Sequence, residues 1–241
     1  MGQLANHHAV VTGASSGIGR AIARLLAHEG ASLCLVGRQL ATLQDVASEA
    51  RARGAQASCH QADLGVDADV VRLLDDLARD GRQVDILVHA AGVLGWGSTE
   101  QSTPEQMDEQ YRVNVRAPYV LTRGLLPQLK AARGQVVFVN STAGLAARAN
   151  VGQYAATKHA LKALADSLRE EVNPDGVRVL SLFLGRTASA MQAAVHAREG
   201  RPYHPELLMQ PDEVACVAVH ALALPRNVEI TELSMRPALK S

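Results

Sequence analysis

Residues 9–19 read AVVTGASSGIG, which places a short apolar run directly before three glycines and a segment of helical period. The order strand, glycine-rich turn and helix is typical of a nucleotide-binding unit. The glycines allow the backbone to approach a pyrophosphate closely, and the N–H groups and dipole at the helix N-terminus stabilise its negative charge. The stretch therefore predicts a phosphate cradle at the end of the first strand.

The glycine spacing excludes a triphosphate loop. Arg20 follows the last glycine, whereas such a loop needs Gly-Lys followed by Ser or Thr. The spacing also differs from the G-x-G-x-x-G of the commonest dinucleotide fingerprint. Taken alone, the motif is compatible with a bound cofactor or with a tight turn that holds no ligand.

Composition limits the class of protein. The 241 residues are 47% hydrophobic with a formal net charge of +0, which fits one α/β domain over residues 1–241 and offers no basic surface for nonspecific nucleic-acid binding. We find no signal-like N-terminal stretch and no run of about eighteen apolar residues, so we expect no membrane partner and a cytoplasmic location.

The cysteine and histidine pattern predicts no metal centre. Cys34, Cys59 and Cys216 are widely spaced without a Cys-x-x-Cys pair, which fits reduced, buried thiols better than a disulfide framework or a zinc site. The histidines form no His-x-x-x-His pair beside a carboxylate.

Short runs rich in Val and Leu predict strands buried on both faces. They lie at 9–11, 32–36, 84–88, 136–139 and 177–183, with weaker candidates at 56–61 and 229–235. Segments of helical period lie at 18–29, 39–53, 67–79, 104–132 and 153–172, and another helix is expected from Pro211. The alternation predicts a doubly wound, mostly parallel seven-stranded sheet flanked by helices. Residues 185–210 are expected to form a substrate lid over the carboxyl ends of the strands.

Two later stretches accompany the glycine motif. YAATK occupies residues 154–158 in a helical segment, and NSTAG occupies residues 140–144 at the end of an apolar run. In this order and spacing the chain resembles the short-chain dehydrogenase/reductase family, whose members carry a TGxxxGIG loop, a Ser and a Tyr-x-x-x-Lys pair. The resemblance reaches from the first strand to at least Ser189. It implies a Rossmann-like domain and hydride transfer between a nicotinamide and a carbonyl or secondary alcohol.

The resemblance also implies the reacting groups. Hydride transfer to a ketone develops negative charge on oxygen, so a proton donor has to lie within hydrogen-bond reach. Tyr154 is the expected donor, and Lys158, one helical turn later, is expected to lower its pKa. Ser141 would donate to the substrate oxygen, and Asn114 would distort its helix and free a carbonyl for a water that leads toward Lys158. Singly, each residue also has a structural interpretation, such as a core aromatic or a loop cap.

The end of the second strand favours NADP(H) over NAD(H). Dinucleotide folds commonly place an acid there for the ribose 2′-hydroxyl, whereas an arginine accommodates a 2′-phosphate. This chain has Gly37 followed by Arg38, and Ser15 is a possible hydroxyl donor. The alternative is that Arg38 is a solvated charge at a helix start.

Further cofactor contacts follow from the resemblance. They are Gly13, Ser15, Ser16, Gly17, Ile18 and Gly19 in the glycine turn, Asp63 and Leu64 at the adenine, Ala91 and Gly92 at the ribose, and Gly185, Thr187 and Ser189 at the nicotinamide, besides Tyr154 and Lys158.

Two positions depart from the family pattern. His89 replaces an asparagine, and we expect a structural histidine that could bridge neighbouring loops. Leu184 replaces a proline and is expected to loosen the turn that follows.

Alternative functions stay open at this point. The departures at His89 and Leu184 would also suit an NADP-binding sensor or scaffold without turnover, while family members that epimerise sugars are typically longer than this chain. The substrate could be a steroid, a sugar, an acyl thioester or a small ketone. By resemblance, the helical segments 104–132 and 153–172 pair in a homodimer or homotetramer.

Overall fold

A seven-stranded sheet organises the chain in a computed structural model that describes residues 2–239. Its strands are β1 (His8–Thr12), β2 (Ser32–Gly37), β3 (Ala57–Gln61), β4 (Ile86–His89), β5 (Gln135–Ser141), β6 (Arg178–Leu184) and β7 (Glu232–Met235). Their order is β3-β2-β1-β4-β5-β6-β7, and every neighbouring pair is parallel. All seven predicted strands are therefore confirmed, including the two weaker candidates.

Helices cover both faces of this sheet. They are α1 (Gly17–His28), α2 (Leu40–Ala52), α3 (Asp67–Asp80), α4 (Pro104–Tyr111), α5 (Ala117–Ala132), α6 (Gly152–Val172), α7 (Ala190–Arg198) and α8 (Pro211–Ala223). The helical segment predicted over 104–132 is confirmed, and a π-helical segment, Arg112–Arg116, separates α4 from α5 within it. Helix α7 lies inside the predicted lid and was not expected.

Alternation along the strands builds two apolar layers. In β1, Ala9 and Val11 pack into one core with Leu26 of α1, whereas Val10 packs into the other with Leu121 of α5. Burial on both faces explains why the strand sequences are nearly continuous apolar runs. The chain reverses its direction of growth between β1 and β4, and a crevice at the carboxyl ends of these strands is the usual ligand site of such sheets.

The exposure of the cysteines differs in part from the expectation, and the helices can be compared with the length of a membrane span. Cys34 is buried, Cys59 is partly buried and Cys216 is exposed, so the prediction of buried thiols is wrong for Cys216, which lies on the outer face of α8. Within residues 2–239, no helix combines the length and the apolarity needed to cross a bilayer.

Candidate active site

The turn between β1 and α1 packs directly against neighbouring backbone. Gly13 has φ +67°, and a Cβ there would lie 2.7 Å from the Ala91 nitrogen. A Cβ on Gly19 would lie 2.3 Å from the Gly13 oxygen. Gly17 has φ +51° and only Ser189 Cβ nearby, at 3.9 Å. Glycine is therefore required at 13 and 19 by close backbone contact, and at 17 by its backbone angle beside open space.

The start of α1 offers hydrogen-bond donors to a ligand. Ser16, the N-cap residue, makes no side-chain hydrogen bond to the helix, and the first-turn N–H groups of a helix have no partner within it. These residues line a cavity of about 390 Å³. An open glycine turn beside a helix N-terminus fits a diphosphate in shape and charge.

The end of β2 contributes the positive charge of this cavity. Gly37 is buried, and a Cβ there would lie 3.3 Å from both Ser15 Oγ and Leu43 Cδ2, which leaves little room for an acidic side chain. Arg38 is exposed and lines the cavity. Among residues 2–239, no carboxylate forms an ion pair with Arg38, so its guanidinium is available to an anion.

Asp63 has a local structural role as well as a place in the cavity lining. Its Oδ1 accepts a hydrogen bond of 2.9 Å from Gly65 N–H, and its own N–H donates to Asp69 Oδ2 at 2.8 Å. The neighbouring Leu64 lines the same cavity. The carboxylate therefore fixes the turn after β3, and Asp63 lines the cavity there.

Ser141, Tyr154 and Lys158 line a second cavity of about 470 Å³. Ser141 ends β5, and the other two lie on one face of α6. Lys158 Nζ lies 5.7 Å from the centroid of the Tyr154 ring and donates to Val139 O at 3.1 Å. The Ser141 hydroxyl accepts a hydrogen bond from Ala143 N–H at 3.1 Å. The three predicted reacting groups thus meet at the carboxyl end of the sheet.

Burial controls the protonation of Tyr154 and Lys158, which are 9% and 4% exposed. Loss of water raises the pKa of Tyr154 to about 12, and the Ser141 hydroxyl acts in the opposite direction. Burial lowers the pKa of Lys158 to about 8. The lowering of the tyrosine pKa by the Lys158 ammonium stays a prediction, and in this structure burial of the phenol is the largest influence on that pKa.

Asn114 lies behind the cavity, in the π-helical segment, and is 1% exposed. Its Oδ1 accepts from Val93 N–H at 2.9 Å, while its Nδ2 donates to Val93 O at 2.9 Å and to Thr157 Oγ1 at 3.1 Å. The expected helix distortion is confirmed. The side chain itself joins the loop after β4 to α6.

Sequence reasoning assigned no role to two supporting polar residues. Asn140 Nδ2 donates to Lys158 O at 3.1 Å, and its Oδ1 accepts from Ser141 N–H at 2.8 Å. Thr12 Oγ1 accepts from Ala91 N–H at 3.3 Å. A polar residue at the end of an apolar strand was the available signal in both cases, but the partners depend on the tertiary structure.

His89 is structural, as expected, but it does not bridge loops. Its ring is buried, stacks on Phe138 at 5.0 Å between centroids, and lies 2.9 Å from Thr122 Oγ1 through Nε2. Burial lowers its pKa to about 3. The bridging prediction is wrong because the ring packs between β5 and α5, away from the neighbouring loops.

The turn after β6 is held by backbone hydrogen bonds despite the missing proline. Gly185 N–H donates to Met235 O at 2.8 Å, and Ala188 N–H donates to Met209 O at 2.8 Å. The loosening expected at Leu184, which is itself buried, is therefore absent. Ser189 caps α7, its Oγ accepting from the Gln192 N–H at 3.1 Å.

The two cavities adjoin each other. They share six lining residues: Ile18, Ala90, Ala91, Gly92, Ser189 and Met191. Each predicted site residue except Asn114 lines at least one of them. A ligand that occupied both cavities would contact Arg38 at one end and Tyr154 at the other.

Comparisons with known proteins agree with this geometry. Residues 7–200 match the family described as short chain dehydrogenase. An uncharacterized oxidoreductase of Staphylococcus epidermidis is 31% identical over 230 residues, covering 95% of this chain and 96% of its own. An uncharacterized NAD-dependent oxidoreductase of Mycobacterium tuberculosis is 33% identical over 246 residues, covering 90% of each chain. An alcohol dehydrogenase of the archaeon Thermococcus sibiricus, solved with 5-hydroxy-NADP, has a TM-score of 0.89 at 29% identity and 98% coverage of both chains.

Proposed function

The chain belongs to the short-chain dehydrogenase family of NAD(P)-dependent oxidoreductases, and we propose that it uses NADP(H) to interconvert a carbonyl and a secondary alcohol with Tyr154 as the general acid–base. One observation carries the proposal. Ser141, Tyr154 and Lys158 line one cavity, and the glycine turn lines an adjoining cavity that shares six lining residues with it. The proton donor and the phosphate cradle therefore border adjoining parts of one crevice, as the nicotinamide and the diphosphate of a dinucleotide require.

The preference for NADP(H) rests on the end of β2. Gly37 leaves little room for the acid that would bind a ribose 2′-hydroxyl, and Arg38 presents a guanidinium suited to a 2′-phosphate. The archaeal relative was solved with an NADP derivative, whereas the mycobacterial relative is called NAD-dependent. Family membership therefore leaves the choice open, and these two residues support NADP(H).

The residues at the nicotinamide end fit the same cofactor. Thr187 and Ser189 line the cavity beside Tyr154, and we assign the Thr187 backbone and the Ser189 hydroxyl to the carboxamide. When bound, a nicotinamide supplies or accepts the hydride. We assign Gly92 to the ribose, where a Cβ would lie 3.4 Å from Asn114 Oδ1 and 3.9 Å from Lys158 Nζ.

Near neutral pH, Tyr154 is in the protonation state that carbonyl reduction requires of a proton donor. A Tyr154 pKa of about 12 keeps the phenol protonated and able to donate. The Ser141 hydroxyl orients the substrate oxygen, and the Lys158 ammonium stabilises the phenolate that donation leaves behind. Asn114 and Asn140 hold the backbone around this pair through the contacts to Val93 and Lys158.

The remaining predictions concern organisation. We propose that residues 185–210, which include α7, act as the substrate lid within a single domain over residues 1–241, and that α5 and α6 pair in a homodimer or homotetramer. Tyr119 of α5 is 53% exposed and lines a 230 Å³ groove with Leu164 of α6, which supports such pairing. The cytoplasmic location stays a prediction.

An activity screen tests the proposed function. The purified protein is incubated with NADPH and a broad set of ketones, aldehydes and diketones, and NADPH oxidation is followed by absorbance. We expect carbonyl-dependent oxidation with at least one class. Tight NADPH binding without oxidation across the whole set would instead support the sensor or scaffold alternative.

A further inference from the structure

The charges that line the 470 Å³ cavity do not cancel. The lining contains one acidic residue, Glu199, and three basic residues, Arg148, Lys158 and Arg186. Both Glu199 oxygens accept hydrogen bonds from Arg186 Nη2, at 2.7 and 2.8 Å. Lys158 donates to Val139 O and belongs to the reacting group. Arg148 is left as the uncompensated charge of the substrate end.

Arg148 lies on the short loop that precedes α6. This loop begins in a hydrogen-bonded turn and is attached at its other end to the loop after β4. Ala146 N–H donates to Thr142 O at 3.1 Å, and Gly97 N–H donates to Asn150 O at 2.9 Å. Across residues 2–239, the Arg148 side chain has neither an ion-pair partner nor a hydrogen bond. The loop thus holds an available guanidinium at the cavity wall.

The rest of the substrate end is largely apolar. Its apolar side chains include Leu94, Trp96, Leu145, Val151, Met191 and Val195. A pocket of this kind orients its ligand through a few polar groups set in an apolar wall. In this cavity the polar groups are the reacting residues around Tyr154 and the guanidinium of Arg148. A guanidinium binds a carboxylate through two parallel hydrogen bonds.

We infer that the site takes an oxo acid, with Arg148 as the residue that selects the carboxylate. The inference rests on the proposed function and names its substrate class. In reduction, a hydride adds to the carbonyl carbon and Tyr154 gives its proton to the oxygen, so the product is the hydroxy acid. The carboxylate is unchanged and serves only for binding, through Arg148 and across the apolar wall.

Paired substrates test this inference. We compare 3- and 4-acetylbenzoate with their methyl esters, measuring kcat/KM with saturating NADPH, because each ester keeps the ketone and the ring but lacks the charge. We expect the wild type to prefer an acid over its ester. In Arg148→Gln the acid-to-ester ratio should fall about tenfold, as expected for loss of a charge-assisted hydrogen bond.

The matched control is Arg53→Gln. Arg53 is exposed at the C-terminal end of α2, at the opposite edge of the sheet, so this variant removes the same charge away from the cavity. Its acid-to-ester ratio should equal that of the wild type. An equal fall in both variants would mean that only net charge matters, and would overturn the inference.

An inhibition assay tests the carboxylate preference without requiring that an acetylbenzoate is a substrate. Reduction of the best neutral ketone from the screen is measured with benzoate or with the isosteric, neutral benzamide. Benzoate should inhibit the wild type more strongly, and this difference should disappear in Arg148→Gln. If benzoate and benzamide inhibit the wild type equally and the wild type does not prefer the acid over its ester, the inference is overturned while the proposed function stands. Failure of every ketone to oxidise NADPH overturns the proposed function itself.

Discussion

Two adjacent residues, Gly37 and Arg38, carry the proposed choice between NADP(H) and NAD(H). Replacing Arg38 with Ala removes the guanidinium assigned to the 2′-phosphate and leaves the backbone of the β2 end intact. We expect NADPH binding to weaken about 10- to 100-fold, since hydrogen bonds to charged groups contribute about 1.5–3 kcal/mol, and NADH binding to change little. Fluorescence titration of both cofactors measures the effect.

Arg53→Ala serves as the control for this experiment, because it removes an exposed charge far from the cavity. It should leave both dissociation constants as in the wild type. Equal weakening of NADPH and NADH by Arg38→Ala would contradict the assignment of Arg38 to the phosphate.

His89 makes the stability of the protein pH-dependent. Its folded-state pKa of about 3 lies below the ordinary 6.5, so between these values the unfolded chain binds more protons than the folded one. Stability is then fully present above pH 6.5 and falls by up to about 1.4 kcal/mol per pH unit as pH decreases toward 3. Replacing His89 with Asn should remove this contribution.

The measurement is urea unfolding of the wild type and His89→Asn from pH 7.5 to 4.5. We expect the wild type to be more stable at pH 7.5, because the variant loses the stack on Phe138, and the difference to shrink with acidification. The pKa of His8 is also lowered by burial. Because His8 is present in both proteins, its contribution to the pH dependence cancels in the stability difference. A difference that stays constant with pH would contradict a buried, neutral His89.

At the scale of elements, the π-helical segment between α4 and α5 links three parts of the site. The Asn114 side chain forms hydrogen bonds with the N–H and the carbonyl oxygen of Val93 and with the hydroxyl of Thr157. Asn114→Ala would leave these partly buried groups without their partner, so we expect a loss of about 1–3 kcal/mol in the free energy of unfolding. Urea unfolding at pH 7.5 measures this loss.

Asn227→Ala is the control, since Asn227 is exposed in the turn after α8. Its stability should stay within about 0.5 kcal/mol of the wild type, as is usual for surface substitutions. Similar stability of Asn114→Ala and Asn227→Ala would show that the Val93 contacts contribute little.

The strands of this chain are easier to predict from the sequence than the ends of the strands, the π-helical segment and α7. The strands were found because burial on both faces leaves a nearly unbroken apolar run, as in 136–139. Their ends were missed where polar residues such as Gln135 and Ser141 pair in the sheet. The 104–132 pattern appeared continuous because one π turn barely disturbs helical periodicity, and only Asn114 signalled it. Helix α7 was missed because its sequence is short and weakly amphipathic.

At the scale of the whole molecule, the order of the motifs predicts which residues meet in the site, but it does not predict the pKa shifts of those residues. The family resemblance placed Tyr154 and Lys158 together, and the cavity brings them together. The direction of the Tyr154 pKa shift depends on how much water the folded chain excludes, which no local pattern specifies. The same holds for Asn140, whose partner Lys158 is distant in the sequence and adjacent only in the fold.

The central claim is that the Tyr154 phenol supplies the proton while the rest of the cavity binds the cofactor. Tyr154→Phe tests it most directly, since the change removes one hydroxyl and nearly conserves side-chain volume. With the ketone found in the screen, we expect kcat to fall about 10²- to 10⁴-fold, as for loss of a general acid. NADPH should still raise the melting temperature as it does for the wild type. Turnover equal to that of the wild type, with NADPH bound, would contradict the account.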